Sequence, residues 1–298
     1  MGYADGYYYG QGRIICDTST FSVGDTIRVR SMTDSNKVWN KQVATVGTAL
    51  VFTVPCYDYY KICTVQDIGG TPTEIGGVYK TVDYGQTLFI NVLDKTTLGG
   101  IQGILNAHQE ASQLAIGDEV NITVDGVLTP FLIGAINLYD THEVIFVGKY
   151  IAGTSTWGGY SGYGTTVIKQ FLETFYNNIK TEEKALIKAT DRSSRRPYSS
   201  TQDTYTEYVF ANNHTEIDGN PVGWPVYTQS QFPIFTTQNN RIKSYEGNTR
   251  SWWLSDGYNA SNSSAVYYVE TNGSIQSDNN PSSTSRGILP CFRLTADS

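Results

Sequence analysis

Hydrophobic and polar residues alternate along the first part of the chain, up to about residue 95. The alternating runs are short, and turn signals such as Gly69-Gly70-Thr71-Pro72 separate them. Alternation with a period of two is typical of strands that bury one face. The runs lie at residues 26–30, 49–54, 59–65, 78–82 and 87–92. We therefore predict an all-β, immunoglobulin-like sandwich for residues 1–95.

Helical and strand patterns are mixed after residue 95. Ile101, Ile104 and Leu105 would share one face of a helix. A longer amphipathic helix is predicted at residues 167–175, and a short one after Thr181. Further strands are predicted at residues 119–123, 129–138, 144–147, 265–269 and 288–294. Because helices and strands follow one another here, the whole chain is predicted to belong to the α+β class.

The end of the chain has a different pattern, in which two apolar segments enclose a polar middle. Residues 251–255 and 287–294 are rich in apolar side chains, whereas Asn, Ser, Tyr, Thr, Gly and Asp dominate between them. Such a middle has too little apolar area to form a core of its own. We therefore expect a polar and aromatic surface displayed from a rigid frame, with an ordinary polar loop as the alternative.

This displayed segment supplies the candidate ligand-binding surface. By strand alternation, one of Trp252 and Trp253 faces inward, and the other can line a surface. Tyrosine offers contact area and a hydroxyl at low entropic cost, while Asn and Ser adapt their hydrogen bonds to a ligand. The candidate residues are Trp253, Asp256, Tyr258, Asn259, Ser261, Asn262, Tyr267 and Asn279.

The charge balance argues against two kinds of partner. The net charge of −7 leaves no basic face for nucleic-acid phosphates. The one basic cluster, Arg192 with Arg195-Arg196, is interpreted as a solvated loop. No run approaches the ~20 apolar residues that cross a bilayer, and the first residues carry no secretory signal. We expect neither nucleic-acid binding nor membrane insertion, in a protein made in a cytoplasm.

No pattern in the sequence points to catalysis or to a metal. The three histidines lack metal-ligand spacing, and there is no nucleophile elbow or lysine-bearing phosphate loop. The segment Asp140-Thr141-His142-Glu143 offers an acid beside a base but is interpreted as a solvated turn. We expect no catalytic residue, no metal and no cofactor. The cysteines are interpreted as buried thiols, with a bridge from Cys16 to Cys56 or Cys63 as the alternative.

Four segments occur in an order that resembles a known domain family. They are 171–190 (FLETFYNNIKTEEKALIKAT), 240–243 (NRIK), 251–254 (SWWL) and 287–294 (GILPCFRL). By these segments, the chain from about residue 96 to 298 resembles a family of uncharacterised function from Firmicutes and their phages, which is similar to C-type-lectin-like domains, including the formylglycine-generating-enzyme branch. Residues 1–95 look like an immunoglobulin-like module that precedes this domain in phage structural proteins.

The resemblance implies a C-type-lectin-like fold for residues 96–298, with departures at its polar edge. Ser255 stands where the family usually has an arginine. The enzyme branch needs a pair of redox-active cysteines, whereas Cys291 is the one cysteine in this part. Calcium-dependent lectins need paired carboxylates, which Asp278 and Asn279-Asn280-Pro281 do not supply.

Together these observations predict a surface protein of a phage virion that is not an enzyme. The C-terminal domain would bind a glycan or protein on the host surface, and the N-terminal domain would attach to other virion proteins on the head or on a tail fibre. The chain would form a homo-oligomer, for which a trimer is common in virions. The alternative is a purely structural capsid decoration or fibre subunit.

Overall fold

The computed structural model divides the chain into two units, one formed by residues 1–113 and 296–298 and the other by residues 114–295. It describes residues 3–4, 7–8, 10–18, 21, 23–68, 71–90, 94–106, 108–158, 162–197, 202–219, 230–258 and 265–297.

The first unit contains strands of 2 to 12 residues, followed by two helices. Its elements are β1 (Tyr3–Ala4), β2 (Tyr7–Tyr8), β3 (Gln11–Cys16), β4 (Thr26–Ser31), β5 (Val38–Gln42), β6 (Leu50–Pro55), β7 (Asp58–Ile68), β8 (Thr71–Val82), β9 (Thr87–Ile90), α1 (Leu98–Asn106) and α2 (Glu110–Gln113).

Two sheets form the main part of this unit. One has the order β6-β3-β9, in which β3 and β9 are parallel, and the other is the antiparallel sheet β5-β4-β7-β8. In β4, Ile27 and Val29 are buried while their neighbours are half-buried, which is the alternation that the sequence showed. The strand predicted from the alternating run at residues 26–30 is confirmed as β4.

Helix α1 belongs to the first unit because it packs closely on β8. A Cβ atom placed on Gly99 would lie 1.7 Å from the carbonyl oxygen of Gly77, so no larger residue fits at this approach. Leu98, Ile101 and Leu105 of the same helix are fully buried. The boundary between the units therefore lies after Gln113 rather than at residue 95.

The second unit contains most of the remaining strands. Its elements are β10 (Glu119–Val124), β11 (Val127–Ile136), β12 (Glu143–Gly148), β13 (Gly153–Ser155), α3 (Val167–Asn177), α4 (Thr181–Lys184), β14 (Thr190–Arg195), β15 (Gln202–Glu207), β16 (Val209–Phe210), α5 (His214–Asp218), β17 (Lys243–Tyr245), β18 (Asn248–Arg250), β19 (Trp252–Gly257), β20 (Val266–Val269), β21 (Ile275–Asp278), β22 (Arg286–Ile288) and β23 (Cys291–Thr295), with 3₁₀ turns at Tyr163–Thr165, Pro233–Phe235 and Gln238–Arg241.

Two five-stranded sheets and two ribbons make up this unit. The sheet orders are β10-β11-β12-β23-β16 and β13-β22-β19-β20-β21, and the ribbons are β14-β15 and β17-β18. The segment predicted as one strand at residues 288–294 is split between the two sheets. Pro290 interrupts it, since proline has no N–H to donate to a ladder. Ile288 ends β22 in one sheet and Cys291 begins β23 in the other.

Helix α3 confirms the predicted amphipathic pattern. Thr166 caps it by accepting a hydrogen bond from the backbone N–H of Lys169 at 3.2 Å. Ile168, Leu172 and Phe175 are buried, whereas Val167 is 41% exposed. The helix thus buries one face, and Val167 at its start lies outside that face.

The predicted α+β class is wrong. Strands account for 45% and helices for 17% of the described residues, so the fold is β-rich. The helical patterns were real but short, and the longest described helix has 11 residues. Within the described ranges, no helix combines the length and the apolar character that crossing a membrane requires.

Candidate functional site

Most of the described residues of the predicted surface lie inside the second unit. Trp253 is 1% exposed, Asp256 0% and Tyr267 7%. Their assignment to a ligand-binding surface is therefore wrong for the isolated chain. Tyr258, at 37% exposure, and Asn279 are exposed. Asn259, Ser261 and Asn262 lie outside the described residues.

Strand alternation failed at Trp252 and Trp253 because β19 is covered on both faces. Trp252 packs on Phe235 with ring centroids 6.1 Å apart and donates its indole N–H to the carbonyl oxygen of Arg241. Trp253 donates its indole N–H to the carbonyl oxygen of Ser155 at 2.9 Å. Both tryptophans are thus structural, and neither offers its ring to a ligand.

Asp256 and Tyr267 also have partners within the unit. The Asp256 carboxylate accepts hydrogen bonds from the backbone N–H groups of Arg195, at 3.1 Å, and His214, at 2.8 Å. The Tyr267 ring lies 4.5 Å from that of His214 and 5.4 Å from that of Tyr258. The structure thus brings Tyr258 and Tyr267 together, with Tyr258 at the surface.

A buried ion pair, which the sequence analysis missed, lies behind the β14-β15 ribbon. Arg192 is bonded through both terminal nitrogens to the Glu216 carboxylate, and their side chains are 4% and 0% exposed. Glu216 also completes a capping box with Asn213 at the start of α5. The Asn213-x-x-Glu216 spacing is a known helix-start signal and could have revealed this helix.

The basic cluster predicted as a solvated loop is therefore only partly exposed. Arg192 and Arg195 are buried, whereas Arg196 forms a bidentate ion pair with Asp203 near the surface. The Asp140–Glu143 segment is likewise not a fully solvated turn. Glu143 begins β12 with no exposure and is bound by Arg293 at 3.0 Å.

A recess of ≈ 340 Å³ lies between α3 and β15, and we call it the α3–β15 recess. Tyr176 and Tyr208 form its aromatic part: their rings are parallel within 8°, with centroids 4.6 Å apart. Tyr208 is 44% exposed. The polar residues that line the recess are Lys169, Glu173, Asn177 and Thr206.

Glu207 lies in the wall of the recess, and its carboxyl group is buried. Solvent reaches neither of its oxygens, and the Tyr163 hydroxyl is close enough to act on the carboxyl as a hydrogen-bond donor. Burial raises the pKa of Glu207 to about 7, although Arg192 and Lys169 act in the opposite direction. A carboxyl with such a pKa suits acid–base chemistry, but it would have to touch a substrate to perform it.

A second depression, of ≈ 600 Å³, is lined by residues of opposite charge, among them Asp140, Asp191 and Arg293. Arg293 is already bound to Asp140 at 3.3 Å, and Asp191 accepts from the Thr206 hydroxyl at 2.8 Å. Asp140 and Arg293 thus balance each other, and Asp191 is bound by a neutral hydroxyl. Within the described parts of the chain, no three His, Cys, Asp or Glu side chains are grouped to hold a metal ion.

Comparison with known proteins identifies a family for the C-terminal half. Residues 143–296 match the family model described as Domain of unknown function (DUF6273). No curated protein and no solved structure matches the chain. The matched range contains every residue that lines the α3–β15 recess.

Proposed function

The chain belongs to the DUF6273 family, whose function is unknown, and we propose that it is a binding protein whose second unit recognises a glycan in the α3–β15 recess without transforming it. The observation that carries the proposal is the Tyr176–Tyr208 pair at a recess with polar walls. Ligand sites combine apolar or aromatic surface with a few polar groups that orient the ligand.

The aromatic pair suits the faces of sugar rings. Sugar rings carry C–H groups on their faces, and these pack against the negative face of an aromatic ring. Tyr208 is exposed enough to accept such a contact, and Tyr176 supports it from behind. Lys184 lies over the Tyr176 ring at 5.6 Å, which further restrains the pair. A preorganised ring loses little entropy when a ligand binds.

The polar walls suit a neutral ligand with many hydroxyl groups. Lys169 and Glu173 are bound to each other, so the pair adds no net charge to the recess. The amide of Asn177 can donate and accept hydrogen bonds, whereas the hydroxyl of Thr206 donates to Asp191 and can still accept one. A volume of ≈ 340 Å³ is at the lower end of ligand sites and fits one or two sugar rings.

The burial of the Glu207 carboxyl group favours binding over catalysis. Glycoside hydrolysis uses two carboxyl groups that flank the scissile bond and touch it. Glu173 and Glu207 both line the recess, but the oxygens of Glu207 are out of reach of solvent. The raised pKa of Glu207 is then a consequence of burial, and it does not indicate a general acid placed to protonate a substrate.

The setting that we propose for this binding is a phage virion. The sequence resemblance described above supports it, and so does the division into two units, of which the first would attach to other virion proteins. The chain would act as a homo-oligomer. Immunogold labelling of intact particles and light scattering of the purified chain test this setting separately from ligand binding.

The test of the binding proposal is an oligosaccharide array probed with the labelled full chain. We expect a signal for neutral oligosaccharides that Tyr208→Ala removes and that Tyr84→Ala, at an exposed tyrosine of the first unit, preserves. Chromatography of the bound oligosaccharide after prolonged incubation should show it unchanged. A null array across neutral sugars, or cleavage products, would contradict the proposal.

A further inference from the structure

A different cavity of the second unit holds a buried lysine. The cavity has a volume of ≈ 460 Å³, and no residue that lines it also lines the α3–β15 recess. Lys243, the first residue of β17, forms part of its wall and is 5% exposed. A lysine this deeply buried is rare unless it is paired.

The amine of Lys243 has no counter-ion among the described residues. The amine forms no hydrogen bond or ion pair with any part of the chain that the structure describes, and it lies 5.8 Å from the centroid of the Phe235 ring. Burial lowers the pKa of Lys243 to about 8, with the Cys291 thiol acting weakly in the opposite direction. Burying a charge without a partner is unfavourable, so a ligand that supplies the missing charge gains affinity.

The other charged groups at the cavity indicate how much charge the ligand carries. Lys149 also lines the cavity, but the Glu119 carboxylate binds it at 2.6 Å and balances it. One unbalanced positive charge remains, which matches a carboxylate with a single negative charge better than a phosphate dianion.

The rest of the cavity wall suits a polyhydroxylated ring that carries this carboxylate. Asn239 and Asn240 present amides, and Ser244 and Thr249 present hydroxyls. Tyr150 is 49% exposed and provides an aromatic edge. We propose that this cavity binds an acidic sugar of the uronic acid type, whose carboxylate pairs with the ammonium group of Lys243.

The test compares D-glucuronate with D-glucose, its neutral counterpart, by calorimetry on the full chain. We expect glucuronate to bind at least about tenfold more tightly than glucose at pH 7. Because only the protonated amine attracts the carboxylate, the affinity should fall about tenfold per pH unit above pH 8. Inorganic phosphate is the third probe, and we expect it to bind more weakly than glucuronate.

Lys243→Met should abolish the preference for glucuronate, whereas Lys180→Met, at an exposed lysine of the same unit, should preserve it. Where Lys243→Met does not fold, the amine of the wild-type chain is titrated by nuclear magnetic resonance, and saturating glucuronate should move its midpoint upward from about 8. The proposal is overturned by equal affinity for glucuronate and glucose, by an unmoved midpoint, by tighter phosphate binding, or by glucuronate binding that Lys243→Met retains. Tyr208→Ala should leave glucuronate binding in this cavity unchanged, and it removes any glucose that binds in the α3–β15 recess from the comparison.

Discussion

Arg192 and Glu216 form an ion pair in the interior of the second unit, and this pair joins the β14-β15 ribbon to helix α5. Burial disfavours the charged form of Arg192, but the Glu216 carboxylate more than compensates and raises the arginine pKa above its ordinary value. The Arg192 guanidinium also lies 4.1 Å from the centroid of the Phe210 ring. The same ribbon carries one wall of the α3–β15 recess.

Glu216→Gln should strongly destabilise the second unit. The substitution leaves the guanidinium of Arg192 charged and buried without its directly bonded counter-ion, which typically costs about 3–5 kcal/mol. Urea unfolding followed by tryptophan fluorescence measures the loss. Arg196→Met breaks the exposed pair with Asp203 and serves as the control, with an unfolding midpoint close to that of the wild type. Equal midpoints for the two variants would contradict the structural role of the buried pair.

Glu207 should make stability fall as the pH rises from about 4.5 to about 7. Its folded pKa of about 7 exceeds the ordinary 4.5, so in this window the folded state binds more protons than the unfolded state. Stability therefore decreases with pH, by up to about 3 kcal/mol in total. Glu207→Gln, which stays neutral, should remove this component and gain stability relative to the wild type at pH 8. Unfolding curves of both proteins, measured side by side from pH 4 to 8, test this prediction. A difference in the free energy of unfolding that does not change with pH would count against a raised pKa.

Trp253 should matter for stability and Tyr258 should not. Trp253→Ala opens a cavity beneath Arg286 and Tyr268, whose groups contact the indole ring, and should cost about 3–5 kcal/mol. Tyr258→Ala removes a partly exposed ring and should change stability by less than about 1 kcal/mol. Thermal unfolding of the two variants provides the comparison. A loss of less than about 1 kcal/mol for Trp253→Ala would contradict its burial and favour its assignment to the surface.

The cysteines should be unreactive in the folded protein. All four are free and buried, and burial raises the pKa of Cys16 and Cys63 to about 12 and that of Cys291 further. Since the thiolate is the reactive form, an aromatic disulfide reagent should titrate none of them until denaturant is added. All should then react. Rapid reaction of Cys291 in the native protein would show that β23 opens readily.

Strong periodicity was the part of the sequence that could be interpreted reliably. In α3 the helical spacing of Ile168, Leu172 and Phe175 survives in the structure, and in β4 so does the alternation of Ile27 and Val29. These elements bury one face and expose the other, and this arrangement produces a regular spacing of apolar residues that can be detected in a single sequence. The class of the whole chain was wrong because the helical runs, though present, are too short to balance the sheets.

Elements that depend on buried polar partners could not be predicted from periodicity. The β14-β15 ribbon contains almost no apolar residues, and Arg192 and Ser194 are buried in it through bonds to α5 and β19. Their partners are distant in the sequence, so no local pattern predicts these contacts. The α3–β15 recess was missed for the same reason, since Tyr176 and Tyr208 come from a helix and from the end of a ribbon.

The affinity of the Tyr208→Ala and Tyr258→Ala variants for one oligosaccharide tests the central claim most directly. Calorimetry on the full chain, with the neutral oligosaccharide that gives the strongest array signal, should show a loss of about tenfold or more for Tyr208→Ala. Tyr258→Ala, at the exposed position predicted from the sequence, should stay within about twofold of the wild type. The opposite order would move recognition to the β19-β20 end of the unit and contradict binding in the α3–β15 recess.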